Sequence, residues 1–449
     1  MAASALSVSA APEKWHILAL RILLVLALLA SHAVLAVESA NAATPSIHGT
    51  VTDASTGAPL AGVEVWLLET YPGILEQSTV TDAAGNYSFT VPAGTYGIDV
   101  GHPGFEWFMS DIIAYNGTNA IQLDIPLQPV PPFIEVEGAD RFETAVAASV
   151  EAFPFGLDPL GYRTVVIATG RNWPDALGGA ALAGTLGGPV LLVDTKTVPA
   201  SVLAEIDRLG AGQAIILGGT GAVGPEVETA LKTKLGAPNV ERIGGADRYV
   251  TANNVAARVR QELGIFYDGT AFVATGGNFP DALAAAPLAA GNYWPIYLAH
   301  PKTGLSPSTV TAMTGVTNAI ILGGTGAVST TTENALKTRF GAVNVERLAG
   351  DNRYTTAAAI AEYAVGQLLW FGWDGVGLAT GTNFPDALAG GVLQGLNGSV
   401  MLLTPSNSLH PAAASALSAN ALEIDTITFF GGAGAISQEV RDGALQLVE

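Results

Sequence analysis

Cysteine is absent from this 449-residue chain, and histidine occurs only six times. Disulfide frameworks and thiolate metal sites are thereby excluded. The histidines are scattered, with no HExxH and no close pair, so no metal centre is expected. Basic residues are scarce: 19 Lys and Arg stand against 39 Asp and Glu, a formal net charge of −20. Nucleic-acid binding rests on neutralising phosphates with Lys and Arg, so no nucleic-acid partner is expected. An anionic partner would need a local basic site. No clean apolar run reaches the ~20 residues that a helical membrane span needs. GxSxG, SxxK and a coherent Ser/His/Asp set are also missing, so no catalytic residue and no cofactor is expected.

What is present falls into blocks. Lys14 and Arg21 precede the apolar run Ile22–Ala30, and small residues follow in HAVLAVESANAA. Residues 1–42 read as an export signal, cleaved after Ala36 or Ala42, leaving a secreted chain without membrane contact. An uncleaved anchor is the other reading.

Residues 46–127 alternate short β-type runs with turn clusters at Asp53–Gly57, Asp82–Gly85 and Pro92–Gly94. That rhythm predicts an all-β sandwich. Asp53 and Asp82 suit turn positions, where Asp bonds to nearby backbone. The run GTVTDASTGAPLAGV, with TDAAGNYSF and VPAGTY, resembles the carboxypeptidase regulatory-like (transthyretin-like) domains. The resemblance implies a non-catalytic accessory module. Proline-dense residues 128–132 then read as a semi-rigid linker.

From residue 133 the chain repeats itself. GADRFETA returns as GADRYVTA and GDNRYTTA; ATGRNWPDAL returns as ATGGNFPDAL and ATGTNFPDAL; LGGTGAV occurs twice and returns as FGGAGAI. The units read as 133–237, 238–342 and 343–449. A period of about 105 residues is the size of a small domain rather than of a solenoid repeat. Within each unit, unbroken apolar strands alternate with helices, which predicts a mainly parallel α/β sheet covered on both faces. Three such units could pack around a pseudo-threefold axis.

Asp175, Asp281 and Asp386 follow a proline that suits the first helical turn. They read as helix caps, favoured by the positive end of the helix dipole; ligand binding together with Asn172, Asn278 and Asn383, or catalysis, are the alternatives. Triplication favours binding over catalysis, since multivalent binders gain avidity from equal copies. LGGTGAV lacks the third in-register glycine of a dinucleotide fingerprint and reads as a tight turn. Arg141, Arg248 and Arg353 open a helix after a Gly-containing turn. Each reads either as an ion-pair partner or as a fork for an anionic ligand.

These residues in combination resemble the cell wall-binding repeat type 2 family, from residue 133 to the end of the sequence. The resemblance implies Toprim- or Rossmann-like α/β units in a pseudo-trimer, with ligand near the junctions between units. It implies a non-enzymatic protein of the cell surface, held non-covalently on a Gram-positive-type wall by an anionic secondary polymer of the teichoic-acid kind. Self-association as a surface-layer component, or an envelope hydrolase, are the alternatives. Arg242 and Arg347 join the candidate ligand residues. Unit one carries Glu135 at the equivalent position, so it is expected to bind polyanion less well if those arginines face the ligand.

Overall fold

The computed structural model describes residues 46–71 and 76–448; the expected export signal lies outside them. The described residues divide into two compact units, one up to Val130 and one from Pro131.

In the first unit Val63, just ahead of one strand, Val65 and Leu67 within it, and Tyr96, Ile98 and Val100 of another strand are buried. They face Ile47, Val51, Tyr87, Phe89 and Ile125 from the opposite sheet. Two sheets result, one built on Ile47–Asp53 and the other on Glu64–Tyr71 with Gly94–Gly101. The period of two puts one apolar face of each sheet inward, which is the sandwich expected. The turn aspartates act locally. Asp53 accepts from the Ser55 and Thr56 hydroxyls, both at 2.7 Å. Asp82 accepts from the Ala84 and Asn86 amides at 2.8 and 2.9 Å.

The second unit contains three four-stranded parallel sheets. In the first, the order is Val190–Val193, Thr164–Thr169, Gln213–Leu217, Val240–Ile243. All residues of the first two strands are buried, because helices cover both faces. The fourth strand lies beyond the first repeat as the sequence periodicity divides it. Val345–Leu348 likewise completes the second sheet. The third is completed by Phe133–Val136, from the start of the first repeat. Each repeat thus lends its leading strand to the sheet before it, and the first lends its strand to the last. The three sheets close into a ring.

The middle of the ring is helical and small-residue rich. Gly179–Leu186, Ala286–Gly291 and Pro385–Leu396 pack pairwise on one another. Nearly every residue on them is buried, within one core cluster that runs through all three repeats.

Candidate functional site at the repeat junctions

The chain doubles back at the same point in every sheet. Thr164–Thr169 has the following strand on one side and the next-but-one strand on the other. In open α/β sheets such a switch point leaves a crevice beyond the strand C-termini, where ligands bind. In the first sheet the crevice is a cleft of about 210 Å³ lined by Thr169, Asn172, Asp175, Thr195 and Gly221 among others.

The recurrent arginines reach this region from the neighbouring repeat. Each is the first residue of a helix whose cap is the residue before it. Asp140 accepts from the Phe142 and Glu143 amides at 2.8 and 3.0 Å, and Asp247 from the Val250 amide at 2.9 Å. In the third repeat Asn352 accepts from the Tyr354 and Thr355 amides at 2.9 and 3.1 Å, completing a capping box with Thr355. Asn and Asp are equally good caps, so GDNR and GADR are equivalent here. These caps escaped the sequence reading; the small acidic or amide residue before each Arg was the available signal.

The helix start fixes the arginine side chains. Arg141 and Arg248 donate through Nη1 to the carbonyls of Gly170 and Gly276 at 2.6 and 2.8 Å, and Arg353 donates to Gly381. The Arg248 guanidinium carbon lies 4.8 Å from the ring centre of Trp173, one repeat earlier. That of Arg353 lies 5.9 Å from the ring of Phe279. Trp173 and Phe279 are 6.0 Å apart, and Phe279 and Phe384 6.2 Å. The three aromatics of the x-W/F-P-D-A-L segments therefore form a chain, with arginines stacked on two of them. A stacked guanidinium keeps its remaining donors in a fixed plane. The aromatic position recurs in all three copies, which is how comparison of the copies could have found it.

Asn172, Asn278 and Asn383 are exposed beside these rings. Each side-chain carbonyl accepts from the amide of the following residue at 3.0 Å. Asp281 and Asp386 lie in the first helical turn, as expected, whereas Asp175 does not. The cap residues are Phe279 and Phe384, without side-chain cap bonds, and Asp281 and Asp386 lie one position further in than Pro280 and Pro385. Asp175 lies in a turn, and its helix starts only at Gly179. Each carboxylate instead packs against the glycine ending a strand. A Cβ on Gly218, Gly323 or Gly431 would meet an oxygen of Asp175, Asp281 or Asp386 at 2.7, 2.3 or 2.6 Å. With φ near +90° at all three glycines, no other residue suits the place.

Burial raises the Asp281 and Asp386 pKa values above the usual carboxylate range; Arg353 and Arg141, each from the next repeat around the ring, oppose the shift. Asp386 moves from 3.8 to about 6. Between those values the folded state holds a proton that the unfolded state has released. This group's contribution therefore favours folding most below pH 3.8 and weakens as pH rises to 6. Asn at 386 cannot titrate. Relative to wild type, Asp386→Asn should gain on the order of 2–3 kcal/mol in unfolding free energy between pH 4 and pH 7. Denaturant titrations of both proteins at the two pH values check this; a pH-independent difference would contradict it.

Arg242 and Arg347 do not face the crevices. Arg242 donates to Glu228 at 2.9 Å and to the Gly218 carbonyl at 2.8 Å. Arg347 donates to Glu333 at 3.0 Å and to the Gly323 carbonyl at 2.6 Å. They join the leading strand of one repeat to the sheet of the previous one, so the expected handicap of unit one has no basis in them. Unit one instead has Arg171 on the crevice rim, ion-paired with Asp194.

A profile of the family described as Cell wall binding domain 2 (CWB2) matches residues 135–228, 242–333 and 347–441. The chain belongs to this family. Its three CWB2 repeats follow a carboxypeptidase regulatory-like domain, matched over residues 46–128. Two Bacillus subtilis proteins are similar to this CWB2 chain. N-acetylmuramoyl-L-alanine amidase LytC is 30% identical over 62% of this chain and 51% of its own length. The amidase enhancer is 32% identical over 68% of this chain and 39% of its own. The chain thus spans about half, or less, of these relatives. Among solved structures, Cwp6 from Clostridium difficile shares the fold with a TM-score of 0.61, at 21% identity over 87% of this chain and 64% of that one. Cwp8 does so at 0.62, with 22% identity over 80% and 60%.

Proposed function

We propose that the three CWB2 repeats hold the protein non-covalently on a bacterial cell wall by binding an anionic, teichoic-acid-like secondary polymer at the repeat junctions. The observation that carries this reading is the recurrent arginine, fixed at a capped helix start beside the neighbouring repeat's switch-point crevice, with two of the three stacked on that repeat's aromatic ring. A local cation held in a partly desolvated place offsets the overall charge of −20 for a ligand already close. Three equivalent sites suit a repeating polymer, since each further contact is intramolecular once the first is made. The β-sandwich is the displayed accessory module, and the repeats act as binder rather than catalyst.

The test is co-sedimentation of the chain from residue 43 with purified walls, before and after acid extraction of their secondary polymers. Binding should be lost with the polymer. Binding that survives extraction would overturn the polymer reading, and release of soluble wall fragments would overturn the non-catalytic one.

A second reading, self-assembly as a surface-layer component, has its own support. Each repeat exposes large apolar residues between its first long helix and its central strand. Phe155 and Leu160 are 92% and 94% exposed, Ile265 91% and Leu369 100%. Exposed apolar side chains mark a protein-facing surface where they form a contiguous patch. Concentration-dependent assembly without wall material would favour this reading.

A further inference from the structure

Three leading strands compete for three sheet edges. All three enter at the same register: Arg242 lies opposite Ile216, Arg347 opposite Ile321 and Glu135 opposite Phe429. All three continue into a turn and a capped helix beginning with Arg. Val240–Ile243 and Val345–Leu348 are tied to their edges by the short turns Ala237–Asn239 and Ala342–Asn344, whereas register alone gives Phe133–Val136 little reason to prefer the third.

The side chains do. At the first two edges the strand carries the arginine, and the helix behind the edge carries the glutamate: Arg242 with Glu228, Arg347 with Glu333. At the third the polarity is inverted. Glu135 is on the strand, and Arg441 stands in the helix at the place of Glu228 and Glu333, four residues after the N-cap. Arg441 is only 3% exposed and donates to Glu135 at 2.5 Å and to Glu137 at 3.1 Å.

The guanidinium nevertheless does the same local job in all three. Arg441 donates to the Gly431 carbonyl at 2.7 Å, the counterpart of Gly218 and Gly323 reached by Arg242 and Arg347. It also donates to the Ile436 carbonyl at 3.2 Å, as Arg347 does to Val328 at 3.0 Å. The site needs a guanidinium, and either element can supply it. The choice of element is then free to act as a label.

We propose that this inverted ion pair keys ring closure, directing strand Phe133–Val136 to the third sheet and away from the edges of the other two, in its own chain or in a second copy. On the first edge Glu135 would meet Glu228, and the Gly218 carbonyl would lose its donor. On the third edge Arg242 would meet Arg441. Like charges brought together at a partly buried place, with a carbonyl unpaired, penalise the wrong pairing. The problem is real in synthesis, because strand Phe133–Val136 emerges before its own edge, Thr426–Phe430, exists. The first edge, Gln213–Leu217, appears much sooner.

The test separates a key from a simple stabilising contact. Glu135→Arg/Glu137→Gly/Arg441→Glu gives the third closure the charges of the other two. Glu228→Arg/Arg242→Glu/Gly244→Glu gives the first closure the charges of the third and leaves Arg441 untouched. Each variant and wild type is unfolded in denaturant, refolded at several concentrations, and read by unfolding midpoint and by monomer fraction in light scattering. Monomers of both variants should unfold near the wild-type midpoint but form in several-fold lower yield, the remainder being strand-exchanged oligomers. Wild-type monomer yield in both would overturn the key. So would a lowered midpoint in the monomers of both, which would make the polarity a packing requirement.

Discussion

Replacing Arg141, Arg248 and Arg353 together by alanine should abolish retention on wall fragments, and replacing them by lysine should reduce it severely. The lysine variant decides the cause. It leaves the formal net charge at −20, so a loss cannot reflect the overall field. What lysine lacks is the planar fork, which lets one nitrogen bond a glycine carbonyl while the others stay aimed outward. It also loses the guanidinium that Arg248 holds over the Trp173 ring. Linked sites gain about 10²- to 10⁴-fold over one alone, so a single Arg→Ala change should already weaken binding by an order of magnitude or more. The arginines also bond within their own repeat, so unfolding must be followed in parallel. A hydrogen bond of this kind contributes about 0.5–1.5 kcal/mol, too little at one site to unfold the ring. Single variants that stay folded and bind walls as wild type would remove the arginines from the site.

The ring's parts were more legible than its closure. Apolar runs such as VVIAT and AIIL declare buried parallel strands because both faces are covered, and the period of the copies declares three equal units. Periodicity does not declare which sheet a strand joins. Val240–Ile243 is read naturally as the start of the second repeat, yet it hydrogen-bonds to the first. Arg242 misled for the same reason. A lone arginine on a strand looks available until its glutamate, 14 residues earlier on a helix, is brought beside it. The Asp of PDAL looks like a cap because Pro precedes it, but the fold presses it against a glycine turn instead. Glu135 was visible as an exception in the sequence. Its meaning needed Arg441, 306 residues away.

The close packing of the central helices carries a stability effect whose sign depends on the space beside each glycine. A Cβ on Gly184 would stand 2.1 Å from the Ala290 carbonyl oxygen, a backbone atom of the neighbouring helix. Gly391 is similarly tight, with 2.4 Å to the Ala286 Cβ. Two effects oppose each other in Gly184→Ala. Helix propensity favours alanine by about 1 kcal/mol. Overpacking costs about 1–3 kcal/mol, and more where the obstructing atom is backbone that cannot rotate away. Overpacking should win, for a net loss of up to about 2 kcal/mol, and more if the backbone cannot yield. Gly366 provides the opposite case. It too lies in a helix, but a Cβ there meets nothing within 4 Å. Gly366→Ala should therefore stabilise the protein, by up to about 1 kcal/mol. Denaturant unfolding of the pair reads the sign directly. Function should follow for Gly184 alone, because Ala286–Gly291 continues from the helix that follows Phe279, the ring beneath Arg353. Pushing that helix outward would part the aromatic from the arginine, so wall binding should fall even in the fraction that remains folded. Opposite stability signs, with binding lost only at Gly184, would tie the small-residue helices to the geometry of the junctions. Equal effects at both glycines would mean that the helices adjust to one another, and that the tight contacts do not set the spacing of the ring.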